Sequence, residues 1–152
     1  MELKDLKQEI PFQWRVQSFS KNKPSAQCVA YIDARDVMDL LDKVCGIENW
    51  QSDYKEVKGN MFAGIGIKTA EGWVWKWDCG VESNVDKEKG EASDSFKRAG
   101  VKWGIGRFLY NKTIVYVQAS ETKTNTNYPY VVDLSGKRVY DLTKFINEQY
   151  GN

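Results

Sequence analysis

"WQSDYKEVKGNMFAGIGIKTAEGWVWKWDCGV", residues 50–81, carries a period-two pattern through most of its length. Three segments, "WQSDYKEV", "MFAGIGIKTA" and "GWVWKWDCGV", read as strands, and "KGN" and "EG" between them are hairpin turns. Connections this short join antiparallel neighbours, so the stretch is predicted to form a β-meander. In its third strand Trp73, Trp75 and Trp77 fall on one face and Val74, Lys76 and Asp78 on the other. Such a row reads as the inner face of the sheet, covered by helices, and we place it in the core. The other reading is a platform on which bases stack. Trp14 and Trp50 are assigned to neither.

Working outward, "FQWRVQSF" and "QCVAYI" flank the polar turn "SKNKPSA" and predict an N-terminal hairpin. Asp33 is placed to cap a helix whose apolar residues Val37, Leu40, Leu41 and Val44 recur at three and four, with Gly46 as its stop. On the other side, "ESNVDKEKG" leads into a second helix over roughly 87–107. Its acids Glu88, Glu91 and Asp94 come first and Lys102 and Arg107 last, as the helix dipole favours, and Gly104 and Gly106 loosen its end. A short strand "TIVYVQ", the loop "SETKTNTN" (120–127), a strand pair around "DLSGKRV" and a helix from about Asp141 complete the chain. The expected class is α+β. Its core is an antiparallel meander packed on a long helix (β-β-β-α), with an N-terminal hairpin and helix and a small C-terminal strand pair plus helix. No repeat or linker divides the 152 residues, so one domain over 1–152 is expected.

Composition narrows the function classes. A chain 41% hydrophobic and 28% charged reads as a globular protein that buries a proper core. No apolar run approaches the eighteen or so residues of a membrane span, and "MELKDLKQEI" lacks the hydrophobic stretch of a signal peptide. Three scattered cysteines, Cys28, Cys45 and Cys79, read as free thiols in a reducing compartment, so the cytoplasm is expected. The absence of histidine removes the commonest general base and the commonest metal ligand. No phosphate-cradling loop of the ATPase kind occurs, and "GVKWGIG" does not match the dinucleotide fingerprint. We therefore expect no catalytic residues, no metal and no cofactor. "DYK" and "EVK" fit the acid-x-Lys end of a metal-dependent nuclease motif and keep that class as an alternative. Asp33, Asp36, Asp39 and Asp42 recur every three residues and so spiral round their helix instead of converging.

"EASDSFKRAGVKWGIGRFLYN" (91–111) concentrates positive charge. On a helical wheel Ala92, Phe96, Ala99 and Trp103 share the side that packs on the sheet. Lys97, Arg98 and Lys102 fall opposite, with Arg107 nearer the edge of the apolar stripe. This face is either an ordinary solvated one or a strip that tracks successive phosphates. The pattern leaves both readings open. The net charge of +1 means that a nucleic-acid role has to rest on local segregation of charge.

The order of motifs goes further. "YIDARDVMDLLDKVCGIENW", the meander, "CGVES" and "GEASDSFKRAGVKWGIGRFLY" together resemble the Rad fifty-two family of single-strand DNA-annealing proteins over about residues 28–111. The likeness is strongest to its small phage and bacterial members, of the Sak and DdrA type. Asp94, Lys97, Arg98, Ala99, Trp103 and Gly104 match the family's helix motif, and Tyr31 to Asp33, Gly46 and Trp50 match two further ones. The resemblance implies a curved β-β-β-α unit whose subunits join side by side into a ring or helical arc. It implies a basic groove between meander and helix that holds the phosphate backbone of single-stranded DNA and turns the bases outward for pairing, with no nucleotide hydrolysed. Carried over by position, Lys97 and Arg98 line that groove and Lys89 is a further basic position. Val101 stands where the family has another arginine, with Lys102 beside it, and Asp36 where it has a basic residue, with Arg35 beside it. The phosphate-holding set is thus Lys97, Arg98, Lys102, Lys89, Arg35, Arg107 and Lys112, with Lys76 and Lys68 of the meander as additions. Expected partners are single-stranded DNA, further copies of the chain and a host or phage single-strand-binding protein or exonuclease, in a bacterial cell or phage-infected host, with no membrane. A plain single-strand-protecting protein without annealing activity is the nearer alternative.

Overall fold

The computed structural model describes residues 2–80 and 87–150, with residues 87–90 described by their backbone alone. In chain order the strands are β1 (Gln13–Phe19), β2 (Ser25–Tyr31), β3 (Trp50–Val57), β4 (Asn60–Thr69), β5 (Gly72–Cys79) and β6 (Val115–Gln118). The helices are α1 (Ala34–Cys45), α2 (Lys87–Lys102) and α3 (Leu142–Tyr150). The α+β class, the hairpin, the meander and the C-terminal helix all stand as expected. The chain divides into two compact units, the first made of Met1–Ile10 and Ile32–Tyr110, the second of Pro11–Tyr31 and Asn111–Asn152.

In the first unit the meander has the order β3-β4-β5, all antiparallel. Ala63, Ile65 and Ile67 of β4 are fully buried on one face. Against that face lies α2, whose Phe96 and Ala99 are buried and whose neighbouring Trp103 donates its indole N–H to Ile65 O at 2.9 Å. Burying an aliphatic or aromatic side chain of this size is worth about 1.5–3 kcal/mol, so this layer is what holds helix to sheet. Gly80 lets α2 come close, because a Cβ there would stand 2.6 Å from Glu91 O and Ser95 N.

Local signals behave as read. Asp33 accepts from Asp36 N at 3.1 Å while Asp36 accepts from Asp33 N at 2.9 Å, a reciprocal cap on α1. The helix buries Val37, Leu40, Leu41 and Val44 and closes with Gly46 N–H on Asp42 O at 3.0 Å. The second helix ends at Lys102, earlier than the expected 107. Ile105 N–H reaches Gly100 O at 2.9 Å and Gly104 N–H reaches Val101 O at 2.9 Å, with Gly104 at φ +104°. That is a Schellman closure, and a left-handed residue at this position is where glycine has no steric penalty. A 3-10 turn, Arg107–Asn111, follows.

The second unit holds the sheet β1-β2-β6 and α3 around Ala26, Cys28, Val117, Val131 and Ile146. Trp14 belongs here, its indole N–H on Asn147 Oδ1 at 3.2 Å. The strand pair expected around "DLSGKRV" is reduced to single bridges, Val132 to Arg138 and Ala119 to Val131. Cys28, Cys45 and Cys79 are free. Among the described residues, no helix is long and apolar enough to cross a membrane.

One expectation is overturned. Gly64 pairs with Trp77 and Gly66 with Trp75, so the tryptophans share the face of the two glycines, opposite Ala63, Ile65 and Ile67. They are not the face that α2 covers. Trp75 and Trp77 are half-buried because they lie flat on the bare backbone of β4 and stack on each other at 5.6 Å, while Trp73 is 42% exposed.

Candidate nucleic-acid interface

The helix side of β5 carries polar side chains that the sheet interior would not accept. They are tolerated because β5 is an edge strand of this sheet, where long side chains reach the rim. Asp78 meets Arg98 of α2, Oδ2 to Nε at 3.7 Å. One turn further along α2, Lys102 Nζ donates to Trp77 O. From the strand, Lys76 Nζ donates to Lys102 O at 3.4 Å and lies 4.6 Å from the centre of the Trp103 ring. Arg107 folds back so that its Nη2 donates to the same Lys102 O at 3.0 Å and its Nε to Val101 O at 2.7 Å.

The result is a seam of Arg98, Lys102, Lys76 and Arg107 where α2 meets β5. The cations of Lys76 and Arg107 are no farther apart than the two bonds to their shared carbonyl allow. Like charges gather here because the last carbonyls of a helix lack intrahelical partners and carry the negative end of its dipole. Anchoring leaves capacity over. Each lysine uses one of three donors and Arg107 two of five, so the seam still offers N–H groups to an anion. Phosphate oxygens accept such charge-assisted bonds well. Among the described residues, Asp78 is the carboxylate paired within it and offsets one of four positive charges.

The other expected residues are distributed differently. Lys97 follows α2's other flank and donates to Ile32 O at 3.3 Å, just ahead of α1, on whose first turn Arg35 is exposed. Lys97 and Arg98 are thus adjacent in sequence but reach different neighbours, and the expected single strip becomes a seam plus a separate cation near α1. Lys89 lies in the first turn of α2, but its side chain is outside the described residues. Lys112 belongs to the second unit, its ammonium 5.0 Å from the centre of the Phe12 ring, on an open groove of about 410 Å³ with Trp14, Asn147 and Tyr150. Lys68 pairs with Trp73 and so lies on the tryptophan face, away from the seam.

Sequence reasoning misjudged that face. Beside the stacked Trp75 and Trp77, Lys55 of β3 sets its ammonium 4.1 Å from the centre of the Trp77 ring. The signal was available in β4, where Gly64 and Gly66 alternate with Ala63, Ile65 and Ile67. A tight turn after Thr69 puts the tryptophans opposite the glycines, and the only unbroken aliphatic row then faces the helix. Of the acids in the suspected nuclease triplets, Asp53 and Glu56 are both exposed on β3, Asp53 accepting from Tyr54 N at 2.8 Å, while Asp33 and Asp36 are used in the α1 cap and Asp42 accepts from Trp50 Nε1 at 2.7 Å. Among the described residues, no group of three or more Cys, Asp or Glu is placed to hold a metal ion.

Comparison with known proteins gives a consistent answer. The model of the Rad52/22 family double-strand break repair protein matches residues 2–66 and 63–128. Two curated relatives are both named single-stranded DNA-binding protein DdrA. That of Deinococcus deserti is 32% identical over 112 residues, 72% of this chain and 55% of the relative. That of Deinococcus radiodurans is 32% identical over 120 residues, 73% of this chain and 57% of the relative. The chain therefore spans a little over half the length of these relatives.

Proposed function

Because this chain belongs to the Rad52/22 family of double-strand break repair proteins, we propose that it binds single-stranded DNA without sequence preference and anneals complementary strands, using no nucleotide, cofactor or metal. The observation that carries the reading is the seam of Arg98, Lys102, Lys76 and Arg107, four cations along one helix–strand junction. Phosphate contacts position a strand without reading its bases, which leaves them free to pair. Lys97 and Arg35 extend the cationic surface beside α1, Lys89 would add to it from the first turn of α2, and Lys112 contributes from the second unit. The relatives' name, single-stranded DNA-binding protein, supports the same substrate.

A monomer with net charge +1 holds DNA weakly, so we read residues 1–152 as one annealing domain that acts as a homo-oligomer, a ring or helical arc. Support comes from β3, an edge strand whose residues 51–57 are all exposed, since an open edge of this length is a template for pairing with another sheet. The proposed setting is the cytoplasm of a bacterial or phage-infected cell. A single-strand-binding protein or exonuclease would be a further partner there.

The test is annealing of two complementary labelled oligonucleotides in EDTA, without nucleotide, at low and high salt. Acceleration that weakens with salt and is lost in Arg98→Gln/Lys102→Gln, with circular dichroism and oligomer size unchanged, is the expected result. Full annealing by that folded variant removes the basis of the proposal. One observation favours a second reading, protection without annealing. The Trp73, Trp75 and Trp77 face lies uncovered by α2, and bases stack on such faces. Strong tryptophan quenching together with slowed annealing would select it.

A further inference from the structure

We propose that Tyr130, Arg138 and Tyr140, in the second unit, form an additional contact for single-stranded nucleic acid, with a phosphate on the guanidinium edge and a base on an outer tyrosine ring. The inference rests on the single-strand-binding reading above but concerns a different part of the chain. Residues 130–140 lie beyond the family match, which ends at 128.

The guanidinium carbon of Arg138 lies 4.7 Å from the centre of the Tyr130 ring and 5.1 Å from that of Tyr140. Two rings therefore hold one cation. Among the described residues no carboxylate or carbonyl accepts from that guanidinium, so its donors face solvent. The absence of an anion has a structural cause. Asp133, the acid before it, is occupied by its own turn and accepts from Ser135 N at 2.9 Å, Ser135 Oγ at 2.6 Å and Lys137 N at 3.0 Å. Asp141, the acid after it, faces the start of α3 and accepts from Lys144 N at 3.1 Å. Both neighbouring acids are engaged by the local turns that hold them.

The frame is fixed as well. Asp133 N–H donates to Lys137 O at 2.8 Å, Val139 N–H to Val131 O at 2.9 Å, and Val132 bridges Arg138. A cation held on this frame loses little freedom on meeting a ligand. Tyr140 is 85% exposed and Tyr130 38%, so ring faces remain open beside the charge. An anion joined through a short linker to a planar group fits this arrangement, and a nucleotide, with its phosphate and base on one sugar, carries both. An acidic peptide supplies only the anion and leaves the rings unused. Stacking on aromatic faces is tolerant of base identity, as a sequence-independent binder requires.

The test uses the full chain and an oligothymidylate carrying 5-iodouracil. Irradiation is expected to cross-link Tyr130 or Tyr140, identified by peptide mapping. Tyr130→Ser/Tyr140→Ser is expected to weaken binding by about fivefold or more, and Tyr130→Phe/Tyr140→Phe to stay within about twofold of wild type, because the ring and not the hydroxyl is used. Arg138→Gln should lower affinity and flatten the salt dependence. Absence of cross-links at both tyrosines, or unchanged affinity in the folded serine variant, overturns the proposal. So does Arg138-dependent binding of a polyglutamate peptide in place of the oligonucleotide. The seam variant Arg98→Gln/Lys102→Gln, measured alongside, separates the two readings. If it weakens binding while the folded serine variant keeps wild-type affinity, only this proposal fails. If the reverse holds, the seam fails and this contact stands.

Discussion

The placement of the tryptophan face yields a quantitative prediction at Gly66. An ideal Cβ built on Gly66 would stand 2.5 Å from Trp75 Cε2 and 2.8 Å from its Cδ2 and Cζ2. Carbon atoms pack at about 3.5–4.0 Å, so in Gly66→Ala the half-buried indole has to lift by about 1 Å or more. Re-exposing about a third of a large aromatic's buried area, some 60–80 Å², costs about 1.5–2 kcal/mol at 25 cal/mol per Å². Replacing glycine by alanine within a strand returns about 0.5–1 kcal/mol through the unfolded chain. Forced overpacking with displaced rotamers adds about 1 kcal/mol or more. Gly66→Ala should therefore destabilise by about 2 kcal/mol. The discriminating quantity is the coupling with Trp75. In Gly66→Ala/Trp75→Ala the new methyl meets no ring, so the double variant should be at least about 1 kcal/mol less destabilised than the sum of the singles. Urea unfolding followed by far-ultraviolet circular dichroism measures all four proteins without relying on tryptophan fluorescence. A loss below about 0.5 kcal/mol in Gly66→Ala, or additivity in the double variant, would mean that Trp75 does not lie on β4 and that the face assignment is wrong.

Three further outcomes follow from the structure. Asp33→Ala removes the reciprocal cap of α1 and should cost about 1 kcal/mol in urea unfolding, and a change under a few tenths would refute the cap. Burial pushes the Cys28 thiol up to about 11, so in mildly alkaline iodoacetamide Cys28 should stay unmodified until urea is added, and labelling at an unfolded thiol's rate would contradict its burial. The Asp133 carboxyl is held below its ordinary value, first by the Ser135 hydroxyl and then by the Lys137 backbone N–H. A depressed carboxyl stabilises the fold above its unfolded value and loses that contribution as pH falls through the folded one. The Ser135 and Lys137 amide resonances should therefore shift together at a pH below the usual aspartate range, and a shift at the ordinary value would refute the turn's hydrogen bonds.

Much of the fold was legible because its signals are local. The cap at Asp33, the four apolar positions of α1 and the turns after Val57 and Thr69 act within a few residues of themselves, and each element appears where its residues place it. The end of α2 was set too late because Gly104 and Gly106 allow either a loosened helix or a closure, and only the bonds to Gly100 O and Val101 O choose the closure at Lys102. The cationic residues were legible as a group but not in their arrangement. A helical wheel assigns Lys97, Arg98 and Lys102 to one side, yet a long side chain goes to the acceptor it can reach. For Lys97 that is Ile32 O beside α1, and for Lys102 it is Trp77 O on β5.

By itself, the sequence determined the meander, the capped amphipathic helix, the concentration of positive charge after Asp94 and, through the order of its motifs, the family. Tertiary packing decided which face of the meander is buried, and the alternation of glycine with aliphatic residues in β4 is the one trace of that choice in the sequence. A period-two pattern has no built-in inside, and here both faces carry apolar residues, Ala63, Ile65 and Ile67 on one and the tryptophans on the other. The choice falls to whichever face offers a close-packed seat for α2. The small and aliphatic row provides it, while the large indoles of β5 cover the glycines of neighbouring β4 and leave Lys76 and Asp78 on the helix side to build the seam.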